Sequence, residues 1–190
     1  MTRRPHSDRP ASPPETITAG QVVLRRETTD DAAAVAALIE RNLDRLSEFM
    51  PWAVAGVADA TAQHDRIVAS AIAWDCGTEY DYVVVVDDQI VGKCGLPRRI
   101  EPGGLELGYW LDAEAEGHGY ITEAARALTA AALDLEGIDR VEIHCDAGNV
   151  RSAAVPRRLG YELDRTDRVD VVTRGQTGDQ MIWVTRGPQS

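Results

Sequence analysis

The sequence predicts a mixed α/β domain in which a mostly antiparallel sheet carries helices on both faces. Two patterns and the composition support this. YDYVVVVDDQIVGKCGLPRR holds two β-branched runs joined at Asp87, Asp88 and Gln89, the length and make-up of a hairpin connection. LELGYWL (105–111) and DRVEIHCD (139–146) flank the clearest helical pattern in the chain, which is the strand-helix-strand crossover that makes two strands parallel. The 190 residues are 44% hydrophobic and 27% charged, enough to fill one core and far from the composition of disorder.

The elements follow in order. MTRRPHSDRPASPPE is Pro-rich, so residues 1–18 are expected to be a tail outside the fold, with one domain over 19–187 and a short end at 188–190. QVVLRR (21–26) reads as a strand. TDDAAAVAALIERNLDRL opens on a Thr/Asp cap signal and repeats apolar residues at Val35, Leu38, Ile39 and Leu46, a helical face. SEFMPWAVAG is broken by Pro51, and a second helical period runs through Ile67, Val68, Ala71, Ile72 and Trp74. After the hairpin, Gly108 inside strand 105–111 suggests a bulge. GYITEAARALTAAALDLEG sets Ile121, Ala124, Ala125, Leu128, Ala131, Ala132 and Leu135 on one face and stops at Gly137. A strand at 139–146, a short helix in NVRSAAVPRRLG and two last strands, YELDRTDRVDVV and DQMIWVTR, complete the chain.

Composition narrows the function. The formal charge of −11 argues against binding a phosphate backbone and suits a cationic substrate. No apolar stretch reaches the roughly 18 residues that a membrane helix needs, and the basic N-terminus has no apolar run behind it, so neither a membrane partner nor a secretory signal is expected. Cys76, Cys94 and Cys145 show no CxxC spacing, which suggests neither a disulfide framework nor a metal site; a reducing cytoplasm is the expected location.

The chemistry concentrates at one turn. Gly117, His118, Gly119 and Tyr120 precede the clearest helix, where free backbone amides and the helix dipole make an anion site suited to phosphate, with a hydroxyl available from Thr122. A glycine turn can also serve only a tight strand-to-helix connection. A dinucleotide fingerprint fits poorly, because Thr122 fills the third glycine slot and DAEAE separates the turn from its strand.

The wider context carries a resemblance. LELGYWLD, EGHGYITEAARAL, VEIHCDAGN and NVRSAAVPRRLGYE in succession, with NLDRLSEFMPW before them, resemble the RimJ/RimL-like branch of the GNAT superfamily of N-acetyltransferases over residues 20–186. The resemblance implies a GNAT fold with a bulge-splayed parallel strand pair and acetyl-CoA as the acetyl donor. It implies pyrophosphate contacts from the amides of Gly117, His118, Gly119, Tyr120 and Ile121 and from Thr122. The pantetheine arm would pair with the backbone of Tyr109, Trp110 and Leu111 as an added strand. Asn149 would bond that arm, although an Asn at a helix start is also an ordinary cap. Ser152 would lie near the sulfur. A homodimer is common among such relatives.

Two positions depart from the superfamily pattern. Glu116 stands where Gln or Arg is common, bringing negative charge toward a pyrophosphate, and Ile121 stands where Gly or Ala is common. The position seven residues after Asn149, a tyrosine acid in many members, is Pro156, which leaves Ser152 as the candidate donor to the leaving thiolate. Acyl transfer also needs a base to strip the acceptor ammonium, and Glu106 is the first candidate, against a solvated strand carboxylate. Amides near Trp110 and Leu111 would polarise the thioester carbonyl. His144 and Cys145 point to opposite faces of a strand and form no dyad. Phe49, Met50 and Trp52 wall an acceptor pocket or belong to the core or a dimer contact, and Arg157 and Arg158 meet a nucleotide phosphate or solvent. The expected function is acetyl transfer from acetyl-CoA to a primary amine, a protein N-terminus or a small amine, by direct attack in a ternary complex. Alternatives are another donor such as succinyl-CoA, which requires a basic residue near the acyl group, and a catalytically silent CoA-binding module.

Overall fold

A computed structural model describes residues 11–187. Strand β1 (Thr16–Ala19) turns into β2 (Val22–Arg26), pairing Thr16 with Arg25 and Ala19 with Val22. The tail expected over residues 1–18 is therefore corrected at its inner end, since the sheet already begins at Thr16. Ahead of it, the buried Tyr80 and Tyr82 donate their hydroxyls to the carbonyls of Ala11 (3.2 Å) and Pro14 (2.7 Å). Two phenols inside a core need such partners. Residues 1–10 and 188–190 lie outside the described residues.

After a 3-10 turn, α1 (Ala32–Leu46) buries Val35, Leu38, Ile39 and Leu46, the face expected from the sequence. Helix α2 (Ala60–Asp75) is capped by Asp59, which accepts from the amides of Thr61 and Ala62. Its buried face is Gln63, Ile67, Ser70 and Trp74, whereas Val68 and Ile72 are 42% and 61% exposed. The apolar period misreads this helix because it packs partly on buried charge, which selects polar residues for its inner face. That charge is Glu27, which holds Arg66 of α2 and Lys93 of the sheet. Arg66 and Lys93 keep the Glu27 carboxyl down at about 2 although burial pushes it up.

Strands β3 (Glu79–Val86) and β4 (Gln89–Pro97) form the expected hairpin, with positive φ at Asp87 (48°) and Asp88 (60°). Aspartate tolerates the left-handed region that a two-residue hairpin turn demands. The single strand expected at 105–111 is divided: β5 (Gly104–Glu106) belongs to one sheet and β6 (Gly108–Leu111) to another. The first sheet runs β1-β2-β3-β4-β6 and is antiparallel throughout. The second runs β5-β7-β9-β8, with β7 (Arg140–Asp146) parallel to β5 and antiparallel to β9 (Asp179–Arg186). Strand β8 (Glu162–Arg168) is the outer edge and ends before the exposed Val169, Val171 and Val172, four residues short of the expected strand.

Helices α1 and α2 pack on one side of the first sheet and α3 (Tyr120–Leu133) on the other, while α4 (Val150–Leu159) lies against β7 of the second sheet and against α3. Small residues on α3, Ala124, Ala125 and Ala132, let it lie close to the strands, with Leu128 filling between them. The position of the site follows from the divided strand. Leu107 donates to Glu142 of β7 (2.7 Å), and beyond it the chain leaves β7 and follows β4, opening a gap between the sheets.

Candidate active site

Backbone alternation decides which groups of β6 face that gap. The Leu107 amide points to β7 and the Asp112 amide to Val91 of β4 (2.7 Å), so the odd-numbered residues between them present N–H and C=O to the gap and the even-numbered ones bond β4. Tyr109 and the Leu111 amide thus form a free strand edge, while the Leu111 carbonyl is taken by Arg45 of α1. Trp110 does not share it: its carbonyl lies where a side chain on Gly92 would stand, within the β4 ladder. The expectation that the Trp110 backbone pairs with a pantetheine arm is corrected on that ground, while its indole lies on the α1 face, 6.2 Å from that of Trp52.

The gap opens into a cleft of about 1070 Å³ lined by Tyr109, Trp110, Leu111, the whole turn Glu116–Thr122, Asn149 and Ser152, which gathers every residue named from sequence for the cofactor. Gly117 (φ 85°) and Gly119 (φ 83°) are left-handed, a conformation that side chains resist. The amides of Thr122 and Glu123 turn back to the Gly119 carbonyl. Those of Gly117, His118, Gly119, Tyr120 and Ile121 donate to no acceptor among the described residues. Such a run of free N–H groups at a helix start is an oxyanion cradle.

The Glu116 carboxylate is neutralised. It is held by Arg45 of α1 and by Arg151 of α4 (3.2 Å), so the charge that the sequence placed beside a phosphate is balanced from two sides. Arg45 also donates to the Leu111 carbonyl. Sequence reasoning missed this strap on α1. Beside Arg45, buried Asn42 donates to Asp112 (2.9 Å) and accepts from the Ala113 amide (3.0 Å), and Arg41 Nε donates to Asp112 (3.0 Å). Burial raises the Asp112 carboxyl, but the bonds from Arg41 and Asn42 hold it below the usual range. A polar triplet some 70 positions before the glycine turn gives no sequence signal, except that a buried-face position of α1 is an Asn.

On the far wall, the Asn149 side chain accepts from the Ser152 amide (3.1 Å), the ordinary cap, and leaves its NH₂ toward the cleft. Tyr109 Oη donates to the Ser152 carbonyl (2.9 Å) and receives from Ser152 Oγ (3.4 Å). Pro156 explains the first bond. It stands four residues after Ser152 and has no N–H, so that carbonyl has no helical partner, and Tyr109 supplies one. Burial pushes the Tyr109 phenol upward, which keeps it a donor.

A second cavity, about 520 Å³, adjoins the first and shares Phe49, Met50, Tyr109, Trp110, Asn149 and Ser152 with it. Glu106 lines this second cavity and not the cleft, half-buried and in register with Glu142. Phe49, Met50 and Trp52 are on its wall. His144 also lines it and bonds Glu142 (2.8 Å); the buried Cys145 lines it too, with no hydrogen bond to His144 among the described residues. Burial raises Glu142, but bonds from His144 and Arg140 bring it below the ordinary range. Asp146 is spent on the amides of Gly148, Thr177 and Gly178. Arg157 stacks over Trp183 (5.2 Å), and Arg158 lines the cleft.

A divided strand, an amide cradle at a helix start and two cavities meeting at a serine define the class of two-substrate group-transfer enzymes with an anionic donor. Residues 21–162 match the family model described as acetyltransferase (GNAT) domain, and the chain belongs to that family of acetyltransferases. It is 45% identical over 169 residues, 85% of this chain and 89% of the other, to YdaF of Bacillus subtilis (strain 168), provisionally named a ribosomal N-acetyltransferase. It is 32% identical over 85 residues, 44% of this chain and 47% of the other, to the ribosomal-protein-serine acetyltransferase of Escherichia coli (strain K12). Among solved structures the fold is similar to RimL, a ribosomal L7/L12 α-N-protein acetyltransferase in complex with coenzyme A (TM-score 0.82, 23% identity, 90% of this chain and 98% of that one). It is similar also to the microcin C7 self-immunity acetyltransferase MccE in complex with acetyl-CoA and AMP (TM-score 0.80, 23% identity, 88% and 93%).

Proposed function

We propose that the protein transfers an acetyl group from acetyl-CoA to a primary amine, with the N-terminal amine of a protein as acceptor, by direct attack in a ternary complex. The observation that carries this is the meeting of the two cavities at Tyr109, Asn149 and Ser152, one ending in free amides and the other holding a carboxylate. The names of YdaF and the Escherichia coli relative support a ribosomal-protein N-terminus.

When bound, acetyl-CoA supplies an activated thioester. Gly117, His118, Gly119, Tyr120 and Ile121 hold its pyrophosphate through their amides, with Thr122 beside them. Tyr109 and the Leu111 amide would offer the free strand edge to the pantetheine arm, and the Asn149 NH₂ would bond it from the opposite wall. The Leu111 amide polarises the thioester carbonyl. Glu106 takes the proton of the acceptor ammonium, directly or through one water, a step that contributes roughly 10² to 10⁴ in rate. Attack of the amine nitrogen on the carbonyl carbon would break the carbon–sulfur bond, and the nitrogen's second proton would pass to Ser152 Oγ as that hydroxyl gives its own to the departing thiolate, leaving a neutral amide, a thiol and an unchanged serine. A succinyl donor is disfavoured because the cations on the acceptor cavity are committed, Lys93 and Arg66 to Glu27 and Asp81 and Arg99 to Glu79.

Calorimetric titration with acetyl-CoA, desulfo-CoA and NAD, then thiol release with N-terminal peptides and polyamines, tests the reading. Acetyl-CoA and desulfo-CoA should bind, NAD should not, and a peptide amine should be turned over. Binding without release on any amine would instead identify a silent CoA-binding module.

A further inference from the structure

One row of residues crosses the first sheet into the acceptor cavity. Asp81 of β3, Gly95 of β4 and Gly108 of β6 stand side by side in register, and all three line that cavity. Cross-strand neighbours project to the same face, so the row is a continuous lane. A Cβ on Gly95 would collide with Asp81 Oδ1, meaning the carboxylate lies across that glycine. A Cβ on Gly108 would meet nothing within 4 Å. Neither glycine has a positive φ, so backbone conformation does not require glycine at either place. Glycine inside a strand is less stable than alanine there, and here what it provides is space.

The carboxylate at the head of the lane is used asymmetrically. Oδ2 is held by Arg66 (3.2 Å), Ser70 Oγ (3.3 Å) and Lys93 (3.5 Å). Arg66 and Lys93 are themselves fixed by Glu27, at 2.6 Å and 2.7 Å. Oδ1 receives no hydrogen bond among the described residues. A carboxylate anchored through one oxygen, with the other lying over a cleared lane into a cavity, is an acceptor fixed in place for an incoming donor.

We propose that Asp81 Oδ1 binds the acceptor amine, taking a hydrogen bond from its N–H group across Gly95 and holding the nitrogen where the two cavities meet. The assignment rests on the acetyl-transfer reading above and adds a recognition residue to it. Glu106 remains the proton acceptor, and Asp81 fixes position. Ser70, Arg66, Lys93 and Glu27 are then the support of a substrate contact as well as of the fold.

The test compares wild type with Asp81→Asn and Gly95→Ala, using the best peptide from the thiol-release panel and measuring acetyl-CoA affinity on the same samples. Asp81→Asn exchanges an acceptor for a donor, and Gly95→Ala pushes Oδ1 from the lane while leaving every charge in place. Each should lower kcat/KM for the peptide at least ten-fold, mainly through KM, with the acetyl-CoA Kd within two-fold of wild type. If Asp81→Asn fails to fold, Gly95→Ala decides. Peptide kcat/KM within two-fold of wild type in a folded variant would overturn the proposal. So would parallel loss of peptide and acetyl-CoA binding, which would mark Asp81 as scaffold. Absence of turnover by wild type on every amine would reject the acetyl-transfer reading itself, an outcome distinct from a defect confined to the variants.

Discussion

The two cavities are built by different means. The donor cleft is mostly backbone: free amides between Gly117 and Ile121, a strand edge at Tyr109 and Leu111, and two glycines whose φ values side chains resist. The acceptor cavity is mostly side chain: Glu106 on β5, Asp81 on β3, and the aromatic and apolar groups of the loop after α1. A backbone site depends on a short contiguous segment. A side-chain site is assembled from elements far apart in the chain, and in the proposed reaction its residues carry the chemistry and the selectivity.

The sharpest way to break that contrast is Glu106→Gln. If the acceptor side carries the proton transfer, kcat should fall by roughly 10² to 10⁴ with acetyl-CoA affinity unchanged, as read by thiol release and calorimetry. A kcat within three-fold of wild type would remove Glu106 from the reaction.

The support beneath the acceptor cavity predicts a stability effect of similar size. Glu27→Gln takes from Arg66 and Lys93 the closer of their two shared counter-charges and leaves only Asp81, which should cost about 3 kcal/mol in urea unfolding. The wild type gives the matching pH dependence. Glu27 is depressed from an ordinary 4.5 to about 2, so its stabilisation is fully present above roughly pH 4.5 and is lost as the pH falls toward 2. Asp31, Asp112, Glu142 and Asp146 are shifted in the same direction and add to that acid lability. A urea midpoint flat from pH 6 to pH 3 would contradict both.

These differences explain what the sequence disclosed. The glycine turn, the helix behind it and Asn149 with Ser152 three residues on are local patterns, and each lies in the donor cleft. The hairpin and the crossover were legible for the same reason, being set by periodicity and turn chemistry. The first strand, Thr16–Ala19, was not, because the Pro-rich stretch before it anchors through backbone carbonyls to Tyr80 and Tyr82, some 70 positions away. Asp81 and the inner face of α2 were hidden likewise. Gln63, Ser70 and Arg66 look like a solvent face until Glu27 is brought underneath them.

On the donor side the expected loss is smaller, because many amides share one ligand. Gly119→Ala forces a side chain into the left-handed region at a cost of about 1–2 kcal/mol, so acetyl-CoA affinity should weaken roughly ten-fold by calorimetry, with the peptide KM unaffected. A change confined to peptide KM would exchange the roles assigned to the two cavities.

The finest test concerns the place where the cavities join. The Ser152 carbonyl is free of the helix because Pro156 has no N–H, and Tyr109 occupies it. Tyr109→Phe leaves that carbonyl without a partner and should cost about 1–3 kcal/mol. In a Pro156→Ala background the restored N–H can serve the same carbonyl, so the same substitution should cost much less. The two changes should therefore couple by about 1 kcal/mol in a double-mutant cycle of unfolding free energies. The cycle has a kinetic counterpart. Ser152 Oγ donates to Tyr109 in the resting site, so removing the phenol frees that hydroxyl without displacing Ser152 when the helix is repaired. The double variant should then retain kcat better than Tyr109→Phe alone. Additive free energies would mean that the proline and the phenol serve separate ends, and that Ser152 is positioned by its Asn149 cap alone.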